Sequence, residues 1–200
     1  MLVAVTAPAL VLLMGSHAAR GQAVPSPEAA REVLVRTNID PIRSKAMLKL
    51  EPARDLGATA TTAIAIFSPS GFGASCWLLP ASSWRPGFRS FNYNDRHLAA
   101  SPVRHGRWQR GRLTLSLSAA NPSRPLGYPL VRSAQPDLAI VLTNDTAAGE
   151  VRSCFLASPS NADIVKDAFG KTGLFLALDA VAPEACPTPP LDCTPAATVP

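Results

Sequence analysis

Two hundred residues, 47% hydrophobic and 16% charged with a formal net charge of +5, suffice for one domain with its own core and exclude a chain disordered throughout. Twenty prolines and twelve glycines interrupt the chain too often for a coiled coil or a helical bundle, so many short strands are expected. Arg outnumbers Lys fifteen to four, a bias of GC-rich coding that lowers the weight of any arginine cluster.

In chain order, residues 1–23 read first, as a secretory signal. Leu2 to Met14 is apolar apart from Thr6, and Gly15, Ser16, Ala18 and Ala19 supply the small residues that a signal peptidase needs. A cut after Ala23, with Gly21 at −3, is preferred over one after Ala18, with Ser16 at −3. The n-region carries no basic side chain, which makes an uncleaved N-terminal anchor the alternative. No cysteine precedes Cys76, so no lipidation site is expected, and no later stretch has the roughly 18 apolar residues of a spanning helix. The mature chain is expected without a transmembrane segment, in the periplasm or outside the cell.

Glu32 to Arg36 and Lys45 to Leu50 read as the strands of a hairpin turned at Asn38, Asp40 and Pro41. Thr61 to Phe67 is a β-branched apolar run with Ile64 and Ile66 on one face, and Ser75 to Leu79 follows up to Pro80. Leu113, Leu115 and Leu117 alternate with Thr114, Ser116 and Ser118, the period of a strand with one wet face. Leu138 to Thr143 and Val151 to Leu156 flank a second turn at Asn144 to Gly149, and Leu174 to Leu178 is the last strand. Ser160 to Phe169 fits one short helix ended by Gly170. Six prolines between Pro183 and Pro200 predict an extended strap or a disordered end. The expected architecture is a single antiparallel β-sandwich over residues 30–187 with at most one short helix, followed by a proline-rich tail over residues 188–200.

Four cysteines, Cys76, Cys154, Cys186 and Cys193, fit disulfides in an exported chain and allow three pairings. Their spacing matches no zinc site.

The order of several segments resembles an uncharacterised domain of secreted bacterial proteins. Val33 to Lys45 holds an apolar strand, a turn with Pro41 and basic residues, and a second strand. Pro69-Ser70-Gly71-Phe72-Gly73-Ala74 is followed by Leu79 to Trp84 and by Phe91-Asn92-Tyr93-Asn94-Asp95. Cys154-Phe155, Asp179 to Pro183 and Cys186-Pro187 complete the pattern. The resemblance implies a β-sandwich, a secreted location and no assigned activity. It also implies a Cys154–Cys186 bridge, one on a late strand and one just after the last; Cys76 and Cys193, which have no counterpart in the pattern, are left for a second.

No catalytic motif is complete. Gly73 to Trp77 is similar to the nucleophile segment of papain-like proteases, but its first cysteine is missing and Ser70 stands where the oxyanion-hole glutamine belongs. The mature histidines His97 and His105 come too early for that mechanism and, with Asp95, too irregularly spaced for a metal. The carboxylates Asp137, Asp145, Glu150, Asp163 and Asp167 read as loop residues and nominate no glycosidase pair, and Asn144-Asp145-Thr146 reads as a hairpin tip. No cofactor is expected.

Charge is unevenly spread. Between Trp84 and Arg112 lie Arg85, Arg89, Arg96, Arg104, Arg107, Arg110 and Arg112 against the one acid Asp95, a net +6. Trp84, Phe88, Phe91, Tyr93 and Trp108 are interleaved with them. Guanidinium groups bind phosphate, sulfate and carboxylate bidentately, and aromatic faces stack on sugars or bases. The segment is therefore expected to present one basic, aromatic face on loops and short strands, with Arg85, Arg89, Arg104, Arg107, Arg110, Arg112 and Trp108 as the anion-binding set. Solvated arginines packed over apolar rings are the plainer alternative.

The expected function is a secreted or surface-associated binding or structural module without catalysis, whose partner is an acidic polysaccharide or another polyanion. A secreted hydrolase with a scattered site is the competing class. Intact mass spectrometry of exported protein should find Val24 or Ala19 as the new N-terminus; retention of Met1 in a membrane fraction would show an anchor instead.

Overall fold

The computed structural model describes residues 24–37, 45–52, 61–70, 73–97, 102–109, 112–118, 136–146, 149–168 and 174–190. Thirteen strands lie among them. In chain order these are β1 (Ser26–Pro27), β2 (Ala30–Thr37), β3 (Lys45–Pro52), β4 (Thr61–Phe67), β5 (Ala74–Leu79), β6 (Trp84–Gly87) and β7 (Ser90–Asn94). After them come β8 (Val103–Gln109), β9 (Arg112–Ser118), β10 (Leu138–Thr146), β11 (Gly149–Ala157), β12 (Asp163–Ala168) and β13 (Leu174–Ala180). A 3₁₀ turn, Ala81–Ser83, carries the chain from β5 to β6. No helix among the described residues is long and apolar enough to cross a membrane.

The strands form a five-stranded sheet in the order β1-β11-β10-β4-β5 and an eight-stranded sheet in the order β12-β13-β2-β3-β9-β8-β7-β6. Pairing is antiparallel throughout except for the short parallel contact of β1 with β11. The all-β, sandwich-like architecture expected from the sequence is present. Both expected hairpins form, β2 with β3 and β10 with β11.

Alternation explains the packing, because successive side chains of a strand point to opposite faces. From the eight-stranded sheet, Val33, Val35, Leu48, Leu50, Leu113 and Leu115 point inward. They meet Ile64, Ile66, Ile140, Leu142 and Phe155 of the five-stranded sheet in one buried cluster. The opposite face of the five-stranded sheet is also apolar, with Ala63, Ala65, Phe67, Ala139, Val141 and Cys154 forming a second buried cluster. β4 is consequently buried on both faces, as a central strand made almost wholly of Ala, Ile, Thr and Phe can be.

A disulfide ties the chain beyond β13 to that second cluster. Cys154 and Cys186 are bonded with their Cα atoms 5.7 Å apart, and the half-buried Cys186 packs against the cluster. Cys76 is disulfide-bonded as well, while its expected partner Cys193 lies outside the described residues. Cys154, Val141, Ala65 and Cys76 occupy one cross-strand row, so both bonded cysteines stand on the same outer face. The described part of the tail, residues 181–190, contains no strand and is held as a strap.

Several expectations are corrected. The helix expected over Ser160 to Phe169 does not form: Asp163–Ala168 is β12, paired with β13. Asn161 decides this locally, its side-chain Oδ1 accepting from the Ser158 amide at 2.9 Å and its Nδ2 donating to Leu156 O at 2.9 Å and Val181 O at 3.0 Å. That turn delivers the β-branched Ile164 and Val165 to the open edge of β13, where backbone pairing outweighs a weak helical pattern. Asp145, Glu150, Asp163 and Asp167, read as loop residues, lie in β10, β11 and β12. Asn144 is within β10, buried, with its Oδ1 accepting from Thr62 Oγ1 at 2.9 Å, so the hairpin tip falls beyond it. β1 also starts the fold before residue 30.

Replacing Cys154 and Cys186 together with Ala should lower the unfolding free energy by about 3 to 4 kcal/mol, from the loop entropy of a separation of 32 residues. Denaturant titration under oxidising conditions measures it, and an unchanged midpoint would mean that the strap holds without its covalent tie.

Candidate anion-binding face

The basic segment folds as β6, β7 and β8 and runs into β9, the half of the eight-stranded sheet that ends at β6. The strand period sorts its side chains by face. Trp84, Tyr93, Gly106 and Leu115 form one cross-strand row and are buried. In the neighbouring row Trp108 and Leu113 are buried and Phe91 is partly buried against the core. The Trp84 and Tyr93 rings meet edge to face with centroids 5.4 Å apart. The guanidinium side chains take the opposite face: Arg85, Asn92, Arg107, Thr114 and Lys49 occupy one outer row.

One expectation fails here. Trp108 is 3% exposed and belongs to the core, so it offers no stacking surface to a ligand. Rings and cations interleave in sequence but separate in space, because a period of two sends them to opposite sides of the sheet. Phe88, 87% exposed at the β6–β7 turn, is the exception among the aromatics.

The arginines differ in what they already hold. Arg112 donates from Nε and Nη2 to Glu51 Oε2. Arg85 donates from Nη1 to the Ser82 and Trp84 carbonyls at 2.8 and 3.2 Å, bonds that fix the side chain without neutralising it. Arg89 has a left-handed backbone with φ 54° in the turn, its guanidinium 5.4 Å from the centroid of the Phe88 ring. Arg104, at the β-bulge of β8, and Arg107, in mid-strand, are exposed, and no carboxylate among the described residues pairs with either. Arg110 lies outside the described residues.

Two ion pairs neutralise much of the other half of the same face. Lys49 Nζ donates to Glu32 Oε1 at 2.7 Å, and Arg112 to Glu51, so β2, β3 and β9 are laced together by charge. Among the described residues, exposed arginines without an acidic partner lie on β6 (Arg85), in the β6–β7 turn (Arg89), after β7 (Arg96) and on β8 (Arg104 and Arg107), with Arg31 and Arg36 of β2 standing apart from them. At the boundary a depression of about 580 Å³ is lined by Glu51, Arg107, Gln109, Arg112 and Thr114. Glu51, Gln109, Thr114 and Asn92 carry no signal in the sequence. They are ordinary polar residues there, and the strand register alone brings them beside Arg107.

The other chemistry weighed from sequence is placed elsewhere. Cys76 is disulfide-bonded and so has no thiol to ionise. Asp95 is buried, while His97 and His105 are exposed. No three His, Cys, Asp or Glu side chains gather for a metal among the described residues. Asp137 accepts from Ser68 Oγ and Ser70 Oγ, both at 2.6 Å, and pins the turn after β4 to the start of β10.

Compared with known proteins, the chain matches no family model, no curated protein and no solved structure.

Gly106 leaves room in the buried row for its neighbours. A Cβ there would stand 2.8 Å from Leu115 Cδ2 and 3.0 Å from Tyr93 Cβ, with Trp84 next in line. Gly106→Ala should cost about 1 to 3 kcal/mol of stability through overpacking and should perturb tryptophan fluorescence. A neutral result would mean that Tyr93 and Leu115 repack freely.

Proposed function

We propose that the protein is a secreted or surface-associated binding module without catalysis of its own, and that its ligand is a polyanion met outside the cell. The observation that carries this reading is the division of charge over the outer face of the eight-stranded sheet. Glu32–Lys49 and Glu51–Arg112 neutralise pairs on one half, whereas Arg85, Arg104 and Arg107 on the other half lack acidic partners among the described residues. Arginines kept merely for solubility would tolerate acids beside them as readily here as on β3. Guanidinium forks take carboxylate, sulfate or phosphate in two parallel hydrogen bonds, and Arg107 stands at a depression where such a group has Gln109 and Thr114 within the same wall.

The location has separate supports. The Cys154–Cys186 bond fits an oxidising compartment, and the apolar N-terminal stretch ending in small residues fits export. The resemblance to secreted bacterial domains points the same way.

Arg104, Arg107 and Arg110 replaced together by Gln should shift elution from a sulfated-polysaccharide matrix to clearly lower salt, with an unchanged melting temperature. Wild-type retention should fall steeply between low and physiological salt, because each arginine that pairs with the matrix releases counterions. Elution of wild type and triple variant at one salt concentration would return these arginines to the solvated alternative.

A further inference from the structure

We infer that the ligand is a linear acidic polysaccharide that lies across the strands of this face, with its charged groups on Arg107 and Arg85 and its hydroxyls on Asn92 and Thr114. The inference rests on the polyanion reading above and narrows it to one class of polymer.

Register carries the argument. Thr114 faces Arg107, Arg107 faces Asn92 and Asn92 faces Arg85, so the row alternates neutral hydrogen-bonding and cationic side chains. Neighbouring strands are about 4.8 Å apart, which sets the two cations about 9.6 Å from each other along the row. That distance is close to the length of a disaccharide in an extended chain. A polymer with one anionic group per disaccharide would meet an arginine with each charge and an amide or hydroxyl with each intervening sugar. Lys49 continues the row beyond Thr114, but Glu32 holds its charge, so two cations do the binding.

Competing polyanions fit worse. Phosphates of each strand of duplex DNA repeat about every 3.4 Å along the axis, much denser than the arginines, and single strands bind by stacking bases on aromatic faces. Trp84, Tyr93 and Trp108 are all turned into the core. Glu51 sits in the wall of the depression beside Arg107, where its carboxylate can accept hydrogen bonds from sugar hydroxyls but offers nothing to a phosphate. Arg85 is already oriented by the Ser82 and Trp84 carbonyls through Nη1, and its Nε and Nη2 are outside those bonds.

The test measures binding of the full chain, by calorimetry at two salt concentrations, to three probes matched in total charge. These are an oligosaccharide alternating glucuronate with N-acetylhexosamine, an oligodeoxythymidylate and an inorganic polyphosphate. The alternating glycan should bind at least tenfold tighter than either phosphate polymer. Arg107→Gln and Arg85→Gln should each weaken it several-fold and reduce the salt slope by about one. Asn92→Ala should weaken the glycan and leave polyphosphate unchanged. All three positions are exposed, and melting temperatures check that the variants fold. Equal affinity for the three probes, or a preference for either phosphate polymer, overturns this inference and leaves the polyanion reading standing. Failure to bind any probe overturns both.

Discussion

The five-stranded sheet is apolar on both faces, and the rest of the architecture answers that constraint. A sheet with Ile64 and Ile66 on one side and Ala65 and Phe67 on the other cannot leave either side in water. The eight-stranded sheet covers the first face. The second is made mostly of small side chains, Ala63, Ala65, Ala139 and Val141 beside Phe67, and the chain beyond β13 reaches it, held by the Cys154–Cys186 bond. Prolines suit such a strap. A segment already restricted in the unfolded chain loses less entropy on being pinned, and it needs no strand partner for its missing N–H groups.

Because one sheet is covered on both sides, the outer side of the other sheet is the large face left open, and it is the one proposed to bind. That side spans eight strands; it carries Leu34, Leu174, Leu176 and Leu178 toward β13 and is polar from Lys49 and Thr114 across to Arg85. Its two halves differ. Between β2 and β9 the diagonal pair Glu32–Lys49 and the directly opposed pair Glu51–Arg112 satisfy charge internally, each partly exposed and worth little on its own. From β8 to β6 the acids stop and the arginines continue. The buried row beneath, Trp84, Tyr93 and Gly106, makes this outer edge of the sheet firm, since two large rings fit only where a glycine yields the space.

Disulfide and face belong to opposite sides of the molecule. The bonded cysteines stand on the outer face of the five-stranded sheet, the arginines on the outer face of the eight-stranded one, with the shared core between. The covalent tie therefore supports the fold without touching the surface proposed to bind, and substitutions at Arg85 or Arg107 leave the core rows intact.

Local pattern alone determined much of the fold. β4 has the expected bounds, and the alternation of Leu113, Leu115 and Leu117 placed β9, because β-branched or leucine-rich runs of period two have few other conformations that bury one side. β6, β7 and β8 have no such signature: their inward positions include Gly106, a residue with no side chain to mark a buried face, and Pro86 and the bulge in β8 break the period. β12 resembles a helix in sequence for a related reason, since its pairing depends on the unpaired edge of β13, which no window of sequence displays. The composition of the candidate site was legible as an excess of arginine between Trp84 and Arg112. Its geometry was not, because whether a cation meets an acid, a carbonyl or open solvent depends on which strand lies beside it. Register decided that Trp108 faces the core, that Arg112 is held by Glu51, and that Arg107 and Arg85 share one row with Asn92 between them.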